Sequence, residues 1–455
     1  MRRRRVAVVG GGVAGLAAAH RLVERGCEVV LLEATSRLGG TIATEHAGGF
    51  VVEGGPDAFI TEKPWGLALC ERLGVAGDLV GTRVGDRRTY VASRGRIHPL
   101  PEGFLLLAPT DLGALVASPL FSWTGKLRMA LDLVLPRRRA ETDESLAAFV
   151  RRRLGREALE RAADPLVGGI YTADPERLSL AATMPRFHEI ERRHRSVILG
   201  LRAAARAAPA AGARYGLFVT HRDGMGALVE AIARRLPEGA VRRGTPVTGL
   251  AREGGRWRVA AGGEPLSVDA VVLAVPAHEA ARLLAPLDAG LAGALGGIEY
   301  ASSATVTLGY RAADLPALRG FGFVVPAVEG RSLLACTFAS RKFPHRAPEG
   351  HELLRAFVGG ARRPELAGLP EQVLIGLVRG ELRTLLGITA EPVLVRVHRH
   401  PRAMPQYTVG HLERVAAIEA RAAALPGLAL AGAAYRGVGL PDCVHGGEAA
   451  ADAVG

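Results

Sequence analysis

The chain has 455 residues, enough for two or three domains with large buried cores, and its 48% hydrophobic and 23% charged content is that of a globular protein. Its net charge of +13 is carried almost wholly by arginine, in clusters such as Arg137-Arg138-Arg139, Arg151-Arg152-Arg153 and Arg192-Arg193-His194-Arg195. Such a charge either suits an anionic lipid or polycarboxylate ligand or reflects an arginine-rich composition; with no aromatic residues interleaved it argues against nucleic acid. No run of 18 apolar residues exists to span a bilayer, and four scattered cysteines (Cys27, Cys70, Cys336, Cys443) exclude a disulfide framework or thiolate metal site and point to a reducing, cytoplasmic compartment.

The basic start followed by an apolar stretch resembles a signal peptide only superficially, because its glycines have strand–turn–helix spacing. Arg5–Val9 reads as a strand, Gly10, Gly12 and Gly15 form G-x-G-x-x-G, and an amphipathic helix runs to about Arg25, where Gly26 stops it. "EVVLL" is the second strand, closed by Glu33. This is a complete dinucleotide-binding unit. Gly10 makes the tight turn, Gly12 admits a pyrophosphate to the backbone, and Gly15 lets helix and strand pack closely. The helix N-terminus offers free N–H groups to phosphate, and Glu33 accepts ribose hydroxyls. Arg37-x-Gly39-Gly40 adds a second phosphate-binding turn, with Arg37 expected on the diphosphate. This extension resembles FAD-binding flavoproteins and is foreign to a plain NAD site.

Gly48–Ile60 reads as a hairpin running into a tight turn at Gly54-Gly55-Pro56-Asp57. A hairpin with Gly95 at its tip follows, then short apolar helices bearing Phe104, Phe121 and Trp123 that end in Arg137–Arg139. That combination suits either a membrane-associating patch or a buried helical subdomain with a solvated basic end. Helix is expected up to Pro165, then a glycine turn at Gly168-Gly169, then a further helix from Arg186. An amphipathic helix at "GMGALVEAIARRL", a hairpin at Gly255 and a buried strand "AVVLAVPA" return to the nucleotide domain. Ile298–Leu394 forms a second α/β region. The tail supplies a strand at Leu428–Ala431, a glycine loop and a helix from about Gly446, with Asp442 and His445 in the loop. The organisation read is a discontinuous Rossmann-type α/β domain (1–80, 217–290, 420–455), a helical subdomain (81–216) and a mixed-sheet α+β substrate domain (291–419).

Together the fingerprint, "EGGPDAF", "GGIYTADPERLSL", "HRSVILGL", "GFGFVVP", "MPQYTVGHLERV" and "GAAYRGVGLPDC" resemble the oxygen-dependent porphyrinogen oxidases of haem synthesis across essentially the whole chain. The resemblance implies non-covalent FAD held by Gly10, Gly11, Gly12, Val13, Ala14, Gly15, Glu33, Ala34, Arg37, Gly40, Gly55, Pro56, Asp57, Ala58, Val247, His400, Val438, Gly439 and Leu440. It implies a porphyrinogen whose propionate meets Arg87 and whose macrocycle lies among Gly169, Val324, Phe343 and Phe357, Val324 standing where leucine is usual. The implied reaction removes six electrons and reduces O2 to H2O2, with protoporphyrinogen IX favoured over coproporphyrinogen III. No acid–base dyad or metal site is singled out. A peripheral membrane contact and a homodimer both stay open. The alternatives are a flavin amine oxidase or carotenoid-type desaturase, and a non-catalytic FAD-fold binding protein.

Overall fold

The structure is a computed structural model, describing residues 3–85, 87–105, 107–140, 142–207 and 217–455. The stretch 208–216, which closes the expected helical subdomain, lies outside the described residues. The chain opens with β1 (Arg5–Val9), α1 (Val13–Glu24) and β2 (Glu28–Leu32). A hairpin of β3 (Thr44–Ala47) and β4 (Phe50–Glu53) follows. Then come β5 (Thr89–Ser93), β6 (Arg96–Pro99) and a helical region that contains α2 (Asp164–Tyr171). The chain returns through β7 (Val241–Arg242) and β8 (Ala270–Leu273) before β9 (Tyr300–Arg311), β10 (Gly322–Val324), β11 (Leu333–Phe338) and β12 (His351–Gly359). It ends with α3 (Glu371–Leu386), β13 (Leu394–Pro405), α4 (His411–Ala423), β14 (Leu428–Leu430) and α5 (Leu440–Val454).

Two sheets organise these elements. The first is wholly parallel, in the order β7-β2-β1-β8-β14. Its strands read as continuous apolar runs because helices or a β-meander cover both faces. Val6, Val8, Val29 and Leu31 pack with Leu16, Leu22 and Val444 on one side, and Ala7, Val9, Val30 and Leu32 pack with Trp257 and Leu283 on the other. The tail strand β14 is its edge, with Val271 opposite Leu428, and α5 lies on α1 so closely that a Cβ on Gly447 would sit 2.2 Å from the Ala14 carbonyl. The second sheet is mixed, in the order β13-β9-β12-β11-β10-β5-β6, with β10 and β5 its parallel pair. Ala304, Val306, Leu308, Ala356 and Val358 point to α3 on one face. By the strand period of two, Thr305, Thr307, Arg355 and Phe357 point to the other.

The parallel nucleotide sheet and a mixed second sheet are as the sequence leads one to expect. Several local readings need correction. Gly168-Gly169 is inside α2, because the helix does not stop at Pro165: it runs unbroken through a π-helical turn at Leu159–Ala163, whose shifted hydrogen-bond register accommodates the proline, and on to Tyr171. The tail helix begins at Leu440, not near Gly446, beside a proline, Pro441. Asp442 and His445 are therefore helical: Asp442 takes Lys63 Nζ at 2.6 Å, and His445 stacks on Trp65 at 4.1 Å. The basic clusters are largely paired. Arg153 is wholly buried against Asp132, Arg152 holds Glu144 and Glu191, and Arg193 pairs with Glu189. Among the described residues no helix is long and apolar enough to cross a membrane.

Candidate active site and cofactor cleft

The fingerprint turn is backbone packed on backbone. Gly10 has φ +105°, and a Cβ there would lie 2.5 Å from the Ala274 carbonyl oxygen; one on Gly15 would lie 1.9 Å from that of Gly10. Gly12 is the N-cap of α1, has no side-chain capping bond, and faces open space, so the N–H groups of Val13 and Ala14 are available at the positive end of the helix. Glu33 shapes this turn: one oxygen accepts the Gly11 N–H at 2.7 Å, the other accepts the Thr35 N–H and hydroxyl at 2.8 and 2.7 Å. Ala34 is exposed beside it. The second glycine turn lies against the first. Gly39 donates to the Gly11 carbonyl at 2.8 Å, and a Cβ on Gly40 would come within 3.2 Å of the Gly12 Cα. Arg37 braces that second turn. Its guanidinium donates to the carbonyls of Ile42 (2.8 Å) and Gly40 (2.5 Å), folding the second turn. Val247 is buried beside Val9 and Leu32 at the end of the parallel strands.

The tight turn after β4 meets the inner face of the mixed sheet. The Gly54 carbonyl accepts His400 Nε2 at 2.8 Å and Arg355 Nη2 at 3.0 Å, and a Cβ on Gly54 would strike the His398 ring at 2.7 Å. Burial holds His400 and His398 below the ordinary histidine value, with Arg355 acting the same way on both. His400 is therefore neutral, with its proton on Nε2. Gly55 is forced, since a Cβ would sit 1.7 Å from the Thr41 carbonyl oxygen. Pro56 is exposed and Ala58 half-buried. Asp57 takes Lys342 Nζ at 3.1 Å; burial opposes its charge, but Lys342 and Arg355 outweigh it and hold the carboxyl below its usual range. Glu53 behaves in the opposite way, its carboxyl pushed up by burial despite Arg346 at 3.0 Å.

The inner face carries one cross-strand row. His398 lies opposite Thr305, Thr305 opposite Phe357, Phe357 opposite Ala335, and Ala335 opposite Val324. Gly169 of α2 faces the end of that row, its missing Cβ 3.8 Å from Val324. Val324, Val438, Leu166 and Tyr171 pack onto one apolar cluster. Val324 and Phe357 thus share one sheet face, Gly169 lies against Val324, and Val438 packs on the same cluster, next to Gly439, which N-caps α5 without a side-chain bond. The other two expected substrate residues are Phe343 and Arg87. Phe343 is buried to 1% exposure, with Lys342 Nζ 5.0 Å and Arg346 Cζ 5.9 Å from its ring. Arg87 is exposed and donates to the Arg83 carbonyl at 3.3 Å, while the Arg83 N–H binds the Lys342 carbonyl. Phe343 lines a small cavity with Thr307 and Arg355 of the inner face, and Arg87 lies with Arg83 on an exposed basic mouth tied to Lys342.

A flavin fits this arrangement. Two glycine turns and two helix N-termini without side-chain caps are built for a dinucleotide. The inner face also holds buried polar atoms without protein partners: Thr305 Oγ1, Thr307 Oγ1, Arg355 Nε and His398 Nδ1. Buried polar groups are satisfied almost without exception, so these suit a polar cofactor edge or ordered water. Sequence reasoning missed Arg355, His398, Thr305 and Lys342. The alternation Arg396, His398, His400 within "LVRVHRHPRAMP" is the signal that marks β13 and its inner face.

These features define an FAD-dependent oxidoreductase. The chain belongs to the flavin-containing amine oxidoreductase family, whose model matches residues 13–455. It is 36% identical to a coproporphyrinogen III oxidase from Bacillus subtilis (98% of this chain, 97% of that one). It is 34% identical to the human protoporphyrinogen oxidase (99% and 98%). Among solved structures, a candidate protoporphyrinogen oxidase from Exiguobacterium sp. 255-15 superposes with a TM-score of 0.90 at 33% identity (99% and 98%).

Proposed function

We propose that this enzyme oxidises a porphyrinogen to its porphyrin in haem biosynthesis. The observation that carries the reading is the apolar surface where Phe357 shares a sheet face with Val324, Gly169 lies against Val324 and Val438 packs on the same cluster, in a chain whose relatives named as porphyrinogen oxidases match it end to end. Bound FAD would accept the electron pairs released at the saturated bridges of the macrocycle and pass them to dioxygen, making hydrogen peroxide. The chain's own part is placement. Val324, Val438 and Phe357 offer apolar surface to the faces of a macrocycle and exclude water, while Gly169 leaves room for it to approach. Neutral His400 and Arg355 fix the Gly54 carbonyl, and through it the Gly55–Ala58 turn, in one position.

In place of the protoporphyrinogen IX favoured from the sequence, we take the more acidic of the two substrates, on the support of the basic mouth. Arg83 and Arg87 lie exposed beside Lys342, which suits the propionates of coproporphyrinogen III better than the smaller number on protoporphyrinogen IX. Porphyrin fluorescence tests both points: FAD-dependent signal is expected with coproporphyrinogen III, and no signal above autoxidation with either porphyrinogen overturns the assignment. A peripheral lipid contact has its own support. Trp123, Leu127, Leu131 and Val134 follow one another along one helical stretch, with Trp123 67% and Leu127 68% exposed. Trp123→Ser with Leu127→Ser is expected to abolish sedimentation with anionic phosphatidylglycerol vesicles; unchanged sedimentation, or none with the parent protein, removes the lipid reading.

A further inference from the structure

The segment Gln406–His411 ties the tail loop to α2 and its flanking turn. Tyr407 is 1% exposed, and its hydroxyl has two partners in the tail: it donates to the Ala433 carbonyl at 2.6 Å and accepts the Gly437 N–H at 2.8 Å. One hydroxyl thus closes the loop that joins β14 to α5. His411, one helical turn on and 2% exposed, stacks under Tyr407 at 3.9 Å and donates from Nε2 to the Tyr435 carbonyl at 2.9 Å, inside the same loop. Burial keeps His411 below its ordinary value, so it is neutral and its N–H is committed to that carbonyl. Arg436 adds an outer tie, pairing with Glu419 of α4 at 2.7 Å, but leaves these three backbone groups to Tyr407 and His411. Gly437, at φ +150°, has no Cβ to wedge it, and a Cβ there would meet Asp442 at 2.4 Å. The same segment also grips the opposite wall. The Tyr407 carbonyl accepts the Ser179 N–H at 2.8 Å, and Gln406 Nε2 reaches the carbonyl of Tyr171, the last residue of α2.

We infer that Tyr407 and His411 are positioning residues for the flavin: by fixing the carbonyls of Ala433 and Tyr435 and the N–H of Gly437, they hold the tail loop in the one conformation that seats Val438-Gly439-Leu440 against the cofactor. The inference rests on the assignment of that loop to FAD and does not depend on the substrate. Tyr407→Phe keeps the ring, its stacking and its volume, and removes only the hydroxyl. His411→Gln keeps a donor that reaches the Tyr435 carbonyl, and His411→Leu removes it.

The experiment titrates FAD into apoprotein, reading flavin fluorescence and the visible absorption bands, alongside the melting temperature of the apoprotein. Tyr407→Phe is expected to weaken FAD about 10-fold, from the loss of one net hydrogen bond's worth of order in the loop, and to alter the flavin bands. His411→Leu is expected to weaken FAD similarly and His411→Gln to restore it. FAD affinity and spectrum within two-fold of the parent for both Tyr407→Phe and His411→Leu overturn the inference, as does a His411→Gln variant no better than His411→Leu. If Tyr407→Phe fails to fold, the two His411 variants decide. A parent enzyme that binds FAD normally but oxidises no porphyrinogen refutes the proposed substrate and leaves this inference standing.

Discussion

Gly15→Ala isolates what the fingerprint geometry contributes. The added methyl would sit 1.9 Å from the Gly10 carbonyl oxygen and 3.1 Å from the Ala274 Cβ. Neither the carbonyl nor the strand end can step aside, because Gly10 itself donates to the Leu32 carbonyl at 2.8 Å and is pinned against Ala274. Helix α1 must therefore retreat by roughly 1.5 Å to restore ordinary contact. Its first-turn N–H groups move with it, which is enough to lengthen a phosphate hydrogen bond beyond useful range. One charge-assisted bond lost is about 1.5–3 kcal/mol, or a factor of roughly 10 to 150 in FAD affinity, and the overpacking costs about 1–3 kcal/mol of stability besides. Fluorescence-quench titration of the apoprotein with FAD measures the first and thermal unfolding the second. A Gly15→Ala protein that binds FAD within three-fold of the parent would refute the claim that this contact sets the phosphate site.

Further outcomes follow from other parts of the fold. Asp132→Ala removes the close counter-charge of wholly buried Arg153 and leaves it Glu191 at 3.6 Å and the carbonyls of Asp132 and Pro136; a loss of about 3 kcal/mol is expected in chemical denaturation, and much less when Arg153→Met is added. Gly376→Ala and Gly380→Ala lie on exposed turns of α3 where a methyl meets nothing within 4 Å, so each should stabilise by about 0.5–1 kcal/mol, seen as a higher melting temperature. Six histidines, His20, His221, His278, His398, His400 and His411, are held below 6.5, chiefly by burial. Below 6.5 the unfolded chain binds more protons at these sites than the folded one, so they make stability fall as pH drops from 6.5 toward their folded values. Melting temperature between pH 7 and 5 measures this, and a His400→Gln variant should show a shallower decline; an identical slope would deny His400 a part in it.

Much of this protein is legible in the chain because the signals are local. The β1–α1–β2 unit is marked by glycines that sterics demand within a dozen residues, and the strands "RVAVV", "EVVLL" and "AVVL" announce burial on both faces. Helix starts were less legible. The glycines at Gly168-Gly169 suggest a turn, yet they lie within a helix, and the tail helix starts at Leu440 rather than near Gly446; Gly447 is needed because α5 crosses α1 at Ala14, a contact between residues far apart in sequence. Arg37, Arg87 and Phe343 show the limit for side chains. Residue type marks what a group can do, whereas its bonding depends on whichever backbone or charge the fold brings beside it: carbonyls for Arg37, the basic mouth for Arg87, and two cations for Phe343.

The sequence by itself determined that the chain binds a dinucleotide at its start and that its tail carries a strand, a glycine loop and a helix, since these follow from short-range sterics and periodicity. Only the tertiary structure decided that Tyr407 closes the tail loop, that His400 and Arg355 share the Gly54 carbonyl, and that Gly169 meets Val324. Each of these contacts joins segments separated by more than twenty residues, and no local preference encodes which backbone group a buried hydroxyl, imidazole or guanidinium will find.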